Sequence, residues 1–311
     1  MTFRSYCFVI NPNSGSKSKQ KTLLGNIKKV FSGSAAKYEV YMTMAPGHAA
    51  QTARMALEKG FDCVIAAGGD GTINEIVQVL AGTPVALGII PLGSGNGLAR
   101  SLDIPLTLSS ACRMLLNGCV RKIDLGMVNG EYFANVAGIG IDEKIGTAFN
   151  RAGARGRRGM MKYFLVGIPH FLFYRPLEYY VQSDKFSGRI KPCTLTFANG
   201  KQFGSGAEIA PGADMSDGLL DFVAVKHIRF FSLPKALYKF FTGRIAELEY
   251  ADSRRVQSVL VVGSEPILYH LDGESRSGPN ELVFSVKPGM LNVIVPQQNL
   301  NVWDLSNLRR A

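Results

Sequence analysis

Four apolar runs in the first 125 residues each end in a short loop of small polar residues, and this rhythm narrows the fold more than any other feature. YCFVIN (6–11) leads into NPNSGS, YEVYMT (38–43) into TMAPGH, DCVIAA (62–67) into GGDGT, and VALGIIP (85–91) into PLGSGN. Helical stretches lie between them, such as AAQTARMALEKG (49–60), which closes on Gly60 as a helix C-cap does. Strand, loop and helix in alternation predict parallel βαβ units. In an open parallel sheet the loops beyond the carboxyl ends of the strands share one rim, where ligands bind. The four loops are therefore expected to face one ligand.

Near residue 122 the grammar changes to short strands separated by turns. KIDLGMV and EYFANVAG flank Asn129-Gly130, a strong hairpin signal. EYYVQS, CTLTFANG, LLDFVAVK, SVLVVG, ILYHLDG, ELVFSV and LNVIVP continue the strand-like series, interrupted by helical stretches near 160–174 and 232–243. The expected fold class is α/β, with a parallel-sheet domain over 1–125 and an antiparallel β-sandwich or barrel over 126–296. The tail 297–311 is expected to pack back on the first domain.

A net charge of +11 on 311 residues and a pI near 9.5 ask for an anionic partner: nucleotide, nucleic acid or anionic membrane. No recognition helix, zinc-finger spacing or RNA-binding signature is present, so nucleic acid is not expected. No run approaches the ~20 apolar residues of a spanning helix. The longest, 163–174, contains Pro169 and His170 and stops at Arg175-Pro176. The N-terminal apolar run is too short for a signal peptide, and five cysteines without CxxC spacing suit a reducing compartment. A cytoplasmic protein is expected. His48 and His270 show no metal-ligand spacing and are read as structural.

GGDGT (68–72) carries more glycine than a turn requires. Ile73, Ile76, Val77 and Leu80 form one apolar helical face behind it, and Thr72 with Glu75 fits a capping box. Glycines between a buried strand and a helix N-terminus let backbone N–H groups approach an anion. Asp70 would repel phosphate unless a cation lay between, which points to nucleotide with Mg²⁺. Neither GxxxxGK[ST] nor the protein-kinase HRD and DFG elements occur.

Two further acidic turns lie in the second half. In PGADMSDGLLDF (211–222), Asp214 and Asp217 have a spacing that suits either one hard cation or a plain Asx turn. HLDGES (270–275) reads as a hairpin turn with two carboxylates. RFFSLPKALYKFFTGR (229–244) has no acid and an apolar face of Leu233, Ala236, Leu237, Phe240 and Phe241 opposite Lys235 and Lys239, with Ser232 as N-cap. It reads either as an interfacial helix or as one packed on the second domain. The arginine-rich run 151–158 suits anionic headgroups or a solvated loop.

NPNSG (11–15), GGDGT (68–72) and PLGSGN (91–96), in this order, resemble the nucleotide-binding loops of the diacylglycerol kinase catalytic family, which includes bacterial lipid kinases and sphingosine kinases. GGDGT alone is shared with NAD kinases; the set with the two acidic turns is specific and covers nearly the whole chain. The resemblance implies a Rossmann-like, NAD kinase/diacylglycerol kinase-like domain plus a β-sandwich, with ATP and Mg²⁺ as cofactors. Carried over by position, the nucleotide residues are Asn11, Pro12, Asn13, Ser14, Gly15, Thr43, Gly68, Gly69, Asp70, Gly71, Thr72, Asn74, Gly93, Ser94, Gly95, Asn96 and Glu274. Asp214, Asp217 and the Leu219 carbonyl would hold a structural Mg²⁺. Asp272 would take the proton of a lipid hydroxyl with Asp70 on the metal side, although some branches of the family give the proton to the Asp70 position. The loop at 93–100 reads GSGNGLAR where bacterial diacylglycerol kinases carry a GTxNDFAR-like loop; Ser94 replaces threonine, and Gly97 removes an acid, as in sphingosine kinases. Diacylglycerol, sphingoid bases and phosphatidylglycerol all stay open as acceptors, presented at the inner face of a membrane, and a homodimer stays open too. An NAD kinase-like soluble kinase and an inactive nucleotide- or lipid-binding protein are the alternatives. Asp70, Asp214, Asp217, Asp272 and Glu274 argue against the inactive one.

Overall fold

A computed structural model of the chain describes residues 3–141, 174–226, 228 and 232–297. The arginine-rich run 151–158, nearly all of the apolar run 160–174, residues 229–231 and the tail 298–311 lie outside the described residues.

The first part alternates β1 (Ser5–Ile10), α1 (Lys17–Phe31), β2 (Lys37–Met42), α2 (His48–Glu58), β3 (Cys63–Gly68), α3 (Asp70–Leu80) and β4 (Ala86–Pro91). The short helix α4 (Gly97–Ser101) and then α5 (Leu108–Asn117) follow. The strands lie in the order β2-β1-β3-β4, all parallel. β3 and β4 are buried along their whole length, as strands covered by helices on both faces must be. α1 packs with α5 on one face and α2 with α3 on the other. Gly60 ends α2 at φ +72°, a left-handed conformation that costs glycine little.

The second part is almost all strand. β5 (Cys119–Val128) and β6 (Glu131–Phe133) form the hairpin expected at Asn129-Gly130, both of which have positive φ, as a two-residue type I′ turn requires. β7 (Val136–Gly140), β8 (Tyr179–Gln182), β9 (Ser187–Ile190), β10 (Pro192–Ala198), β11 (Gln202–Gly204), β12 (Ala207–Glu208) and β13 (Leu220–Lys226) come next. Helix α6 (Leu233–Phe241) precedes β14 (Ala251–Val256), β15 (Ser258–Gly263), β16 (Leu268–Leu271), β17 (Glu274–Ser277) and β18 (Glu281–Val295). One sandwich layer is the sheet β14-β13-β10-β7-β16-β17; the other is built on β18-β15-β8-β9. Phe197 stacks on Phe284 between them at 3.8 Å.

ELVFSV and LNVIVP, which read as separate strands, are one 15-residue strand. β18 pairs with β15 and β5 in the sandwich, bulges between Lys287 and Leu291, and continues alongside β4, parallel to it. The two domains therefore share one long sheet, and the expected division at residue 125 falls inside β5. Asp124, buried in β5, holds the crossing: its two oxygens accept the Gly289 N–H of the bulge and the Gly218 N–H, each at 2.7 Å. Two charge-assisted backbone bonds fix this junction more firmly than neutral ones would.

Candidate active site

The loops after β1, β3 and β4 interlock at the rim. Asn11 donates from Nδ2 to Thr72 Oγ1 at 3.0 Å, and its Oδ1 accepts the Asn13 N–H, so the side chain ties the NPNSG turn to GGDGT. Ser14 N–H closes the turn on the Asn11 carbonyl, and Gly15 follows at φ +80°. Thr43, buried at the end of β2, donates its N–H to the Ile10 carbonyl. Pro12 thus lies in the same rim as Gly68, Gly69, Gly71, Gly93, Ser94 and Gly95. A Cβ on Gly93 would stand 2.8 Å from Gly69 Cα, and one on Gly71 would stand 2.8 Å from a Glu274 carboxylate oxygen. Backbone already occupies the space at Gly93, whereas a side chain at Gly71 would displace the Glu274 carboxylate. Asn96, at φ +51°, donates to the Gly93 carbonyl and leaves its buried Oδ1 without a partner.

The capping box expected at Thr72 and Glu75 does not form. α3 begins at Asp70 with Gly69 as N-cap, which puts Thr72 inside the first turn, where it fills the space beside Gly68. Glu75 caps the neighbouring helix instead: its two oxygens accept the Gly47 and Ala49 N–H groups at 2.9 and 3.0 Å, at the start of α2. A carboxylate there satisfies orphan donors and complements the helix dipole.

Asp70 and Asp272 meet between the domains in different surroundings. Asp272 forms the β16–β17 turn with Gly273, at φ +49° and +89°. Its Oδ1 accepts the Asn135 and Val136 N–H groups at 2.9 and 3.0 Å. Its Oδ2 accepts the Ala134 N–H at 2.9 Å and Asn74 Nδ2 at 3.0 Å. All four lone-pair positions are taken. Asp70 accepts the Gly97 N–H on Oδ1 at 2.8 Å, at the start of α4. Loss of hydration, with the Asp272 charge next in weight, pushes the Asp70 carboxyl up to about 6 against the pull of the backbone N–H groups of 96–98.

Gly97, where the family's bacterial loop carries an acid, has no room for a side chain: a Cβ would stand 2.6 Å from Asn135 Nδ2 and 2.8 Å from the Phe203 carbonyl. Asn135 is one of three participants that the sequence did not disclose. Its amide bonds Ser101 Oγ and the Gln202 carbonyl, while its backbone N–H serves Asp272. The second is Ser205, at φ +54°, whose N–H and Oγ bond the Gly95 and Ser94 carbonyls across the domain junction. The third is Gln78, one helical turn beyond Asn74. Its only sequence signal was that i, i+4 spacing.

The other acidic turn is built differently. Asp214 Oδ1 holds Arg121 Nη2 at 2.6 Å and the Ser216 N–H, and Arg121 Nε reaches Ser216 Oγ. Asp217 Oδ1 accepts the Leu219 N–H, and Oδ2 lies 3.7 Å from Arg255. No group of three His, Cys, Asp or Glu side chains among the described residues gathers to hold a metal. Arg121 thus stands at Asp214 where the resemblance puts a metal ligand, with both side chains largely exposed.

α6 packs on the second domain: Leu233 and Ala236 are buried, Ala236 against a cluster with Ile245 and Leu248, and Tyr238 points outward. Ser232 makes no side-chain cap, because its own backbone is already helical. Lys239 is bound to Glu247. His48 accepts the Met44 N–H and His270 accepts the Gly273 N–H, both structural bonds.

This architecture has relatives. Residues 5–128 match the diacylglycerol kinase catalytic domain, and residues 135–295 match the YegS C-terminal NAD kinase beta sandwich-like domain. A Bacillus subtilis protein named diacylglycerol kinase is 32% identical over 302 residues, covering 95% of this chain and 98% of its own. A Pseudomonas fluorescens protein named probable lipid kinase YegS-like is 32% identical over 263 residues, covering 84% and 86%. The crystal structure of a putative diacylglycerol kinase from Bacillus anthracis superposes with a TM-score of 0.78 at 22% identity, over 96% of this chain and 99% of that one. The chain belongs to the diacylglycerol kinase catalytic-domain family. It is a lipid kinase with the two-domain fold that the sequence led one to expect, and no helix among its described residues is long and apolar enough to cross a membrane.

Proposed function

We propose that this lipid kinase transfers the γ-phosphoryl group of ATP to the hydroxyl of a diacylglycerol or a related membrane lipid, with Asp70 as the proton acceptor. The observation that carries this reading is the pairing of an Asp272 whose two oxygens hold four donors with a raised Asp70, held at the start of α4 by the backbone N–H groups of 96–98, beneath the glycine loops. The lipid oxygen attacks the γ-phosphorus, its proton passes to Asp70 Oδ2, and the bond to ADP breaks. Phosphoryl transfer needs little covalent help beyond placement and charge, and a base works best with a pKa near the working pH. Asp272, with four donors on its oxygens, has no lone pair left for that proton and serves instead as the fixed charge beside Asp70. This reading gives Asp70 the base's role that the resemblance implied for Asp272. The loops Asn11–Gly15 and Gly68–Thr72, with Gly93–Asn96, are the proposed nucleotide cradle, and Glu274 at Gly71 is the carboxylate placed to face a nucleotide-bound Mg²⁺. That ion, when bound, would neutralise charge on the transferring phosphoryl group. The +11 charge favours work at an anionic membrane surface.

Labelled ATP with Mg²⁺ is supplied to mixed micelles of diacylglycerol, sphingosine or phosphatidylglycerol, with NAD as soluble control. A labelled lipid supports the reading and names the acceptor. Label on NAD alone overturns it.

A further inference from the structure

Asp272 is a turn residue with a positive φ, and a short carboxylate in such a turn does not hold its direction by itself. Its four donors come from two sources: three consecutive backbone N–H groups, Ala134 to Val136, and the amide of Asn74. Both trace back to Gln78. The side chain of Gln78 pairs with Tyr132 of β6 as a neighbouring strand would: Oε1 accepts the Tyr132 N–H at 2.9 Å, and Nε2 donates to the Tyr132 carbonyl at 2.6 Å. Nε2 also donates to Asn74 Oδ1 at 3.3 Å. Tyr132 stands two residues before the first N–H donor to Asp272, in a strand only three residues long. β6 pairs with β5 along one edge alone, and the glutamine amide supplies the peptide partner that Tyr132 has on the other edge. Asn74 is buried, its Nδ2 shared between Asp272 and the Tyr132 carbonyl.

We propose that Gln78 and Asn74 are positioning residues of the kinase, an amide pair on one face of α3 that aims the Asp272 carboxylate at the reaction site. Asn74, assigned by resemblance to the nucleotide, thereby acts on the acceptor side of the cleft. The inference rests on the proposal that Asp272 is the fixed charge beside the transferred proton. A glutamine is needed because one amide must both accept from and donate to a peptide group while a second hydrogen reaches Asn74. A methionine fills similar volume and does none of this.

The test is a double-mutant cycle in the micelle assay, run with the lipid acceptor that the labelling experiment names. Gln78→Met is expected to lower kcat about tenfold and to leave the KM for ATP within about twofold, with a cooperative thermal transition retained. Asn74→Ala is expected to lower kcat further, again without raising the KM for ATP. In an Asp272→Asn background, Gln78→Met should cost nothing more, since it acts through that carboxylate. A wild-type kcat in Gln78→Met beside an impaired Asp272→Asn overturns the positioning role alone. An undiminished further loss in the double variant does the same, and so does an Asn74→Ala defect confined to the KM for ATP. Wild-type turnover in Asp272→Asn removes the functional reading itself, and the inference with it. Should Gln78→Met fail to fold, Asn74→Ala in both backgrounds closes the same cycle.

Discussion

Two Asp-Gly turns in the second half of the chain spell nearly the same thing and are built into opposite surroundings. Asp217-Gly218 and Asp272-Gly273 both place a carboxylate before a glycine of positive φ, next to a strand. Asp272 gathers four N–H groups from the β6–β7 connection and from α3, in the cleft between the domains. Asp217 and its neighbour Asp214 sit at the outer edge, where arginines from β5 and β14 answer them. The difference lies in what the fold brings to each turn, not in the turn. Backbone donors gathered on a part-buried carboxylate fix its direction, whereas an exposed guanidinium is a weak and replaceable partner.

The largest expected effect is a pair of matched substitutions. Asp272→Asn puts an amide hydrogen against at least one backbone N–H, and leaves buried donors unsatisfied. Turnover in the micelle assay should fall by about 10³-fold or more, the scale expected for losing a charge aimed at the reacting centre. Asp217→Asn should leave turnover within about threefold and stability within ~1 kcal/mol. Comparable losses at both turns would erase the contrast.

A smaller effect checks how far Asp272 contributes to the raised Asp70. The Asp70 carboxyl is raised in the folded protein, to about 6. Stability arising from its protonated form is complete below the unfolded carboxylate range near pH 4 and is lost as pH rises through 6. Asp70→Asn should therefore gain on the wild type between pH 4 and 7, by at most ~3 kcal/mol at pH 7, since one unit is worth about 1.4 kcal/mol. Denaturant unfolding across that range reads it. The gain should shrink in an Asp272→Asn background, and a gain that ignores Asp272 would mean that burial alone raises Asp70.

The sequence made the βαβ half legible because each of its signals is local: an apolar run, a glycine loop, a helical face. The hairpin at Asn129-Gly130 was legible for the same reason. What could not be read depends on partners far along the chain. Glu75 fits a capping box by spacing, yet its oxygens serve Gly47 and Ala49 on another helix. ELVFSV and LNVIVP look like two strands because the bulge near Gly289 breaks the pattern, while Asp124, over a hundred residues earlier, supports the bend. Asn135, Gln78 and Ser205 carry no motif; they matter through bonds to backbone groups supplied by other elements. The motif residues themselves were found by resemblance, and their spacing alone had left the acidic turns open between cation and plain turn.

The smallest expected effect bears on the outer turn and can still break the comparison. Arg121 and Asp214 are 40% and 54% exposed in their side chains, so Arg121→Ala should change unfolding free energy by less than ~1 kcal/mol. The same bond decides how the turn meets magnesium. A ligand that binds only the folded state raises its stability in proportion to the logarithm of concentration over Kd. With Asp214 Oδ1 holding a guanidinium at 2.6 Å and Asp217 Oδ1 holding the Leu219 N–H, an ion arriving among these groups would have to compete with Arg121 for Asp214. The thermal midpoint of the nucleotide-free protein should therefore move by less than about 1 °C between excess magnesium chloride and a chelator, a shift that corresponds to well under 1 kcal/mol. A rise of several degrees that disappears in Asp214→Ala, and survives in Glu274→Ala, would place the ion among Asp214, Asp217 and the Leu219 carbonyl. Arg121 would then have to give up its bond to Asp214 Oδ1, and the outer turn would hold its charge as deliberately as the inner one.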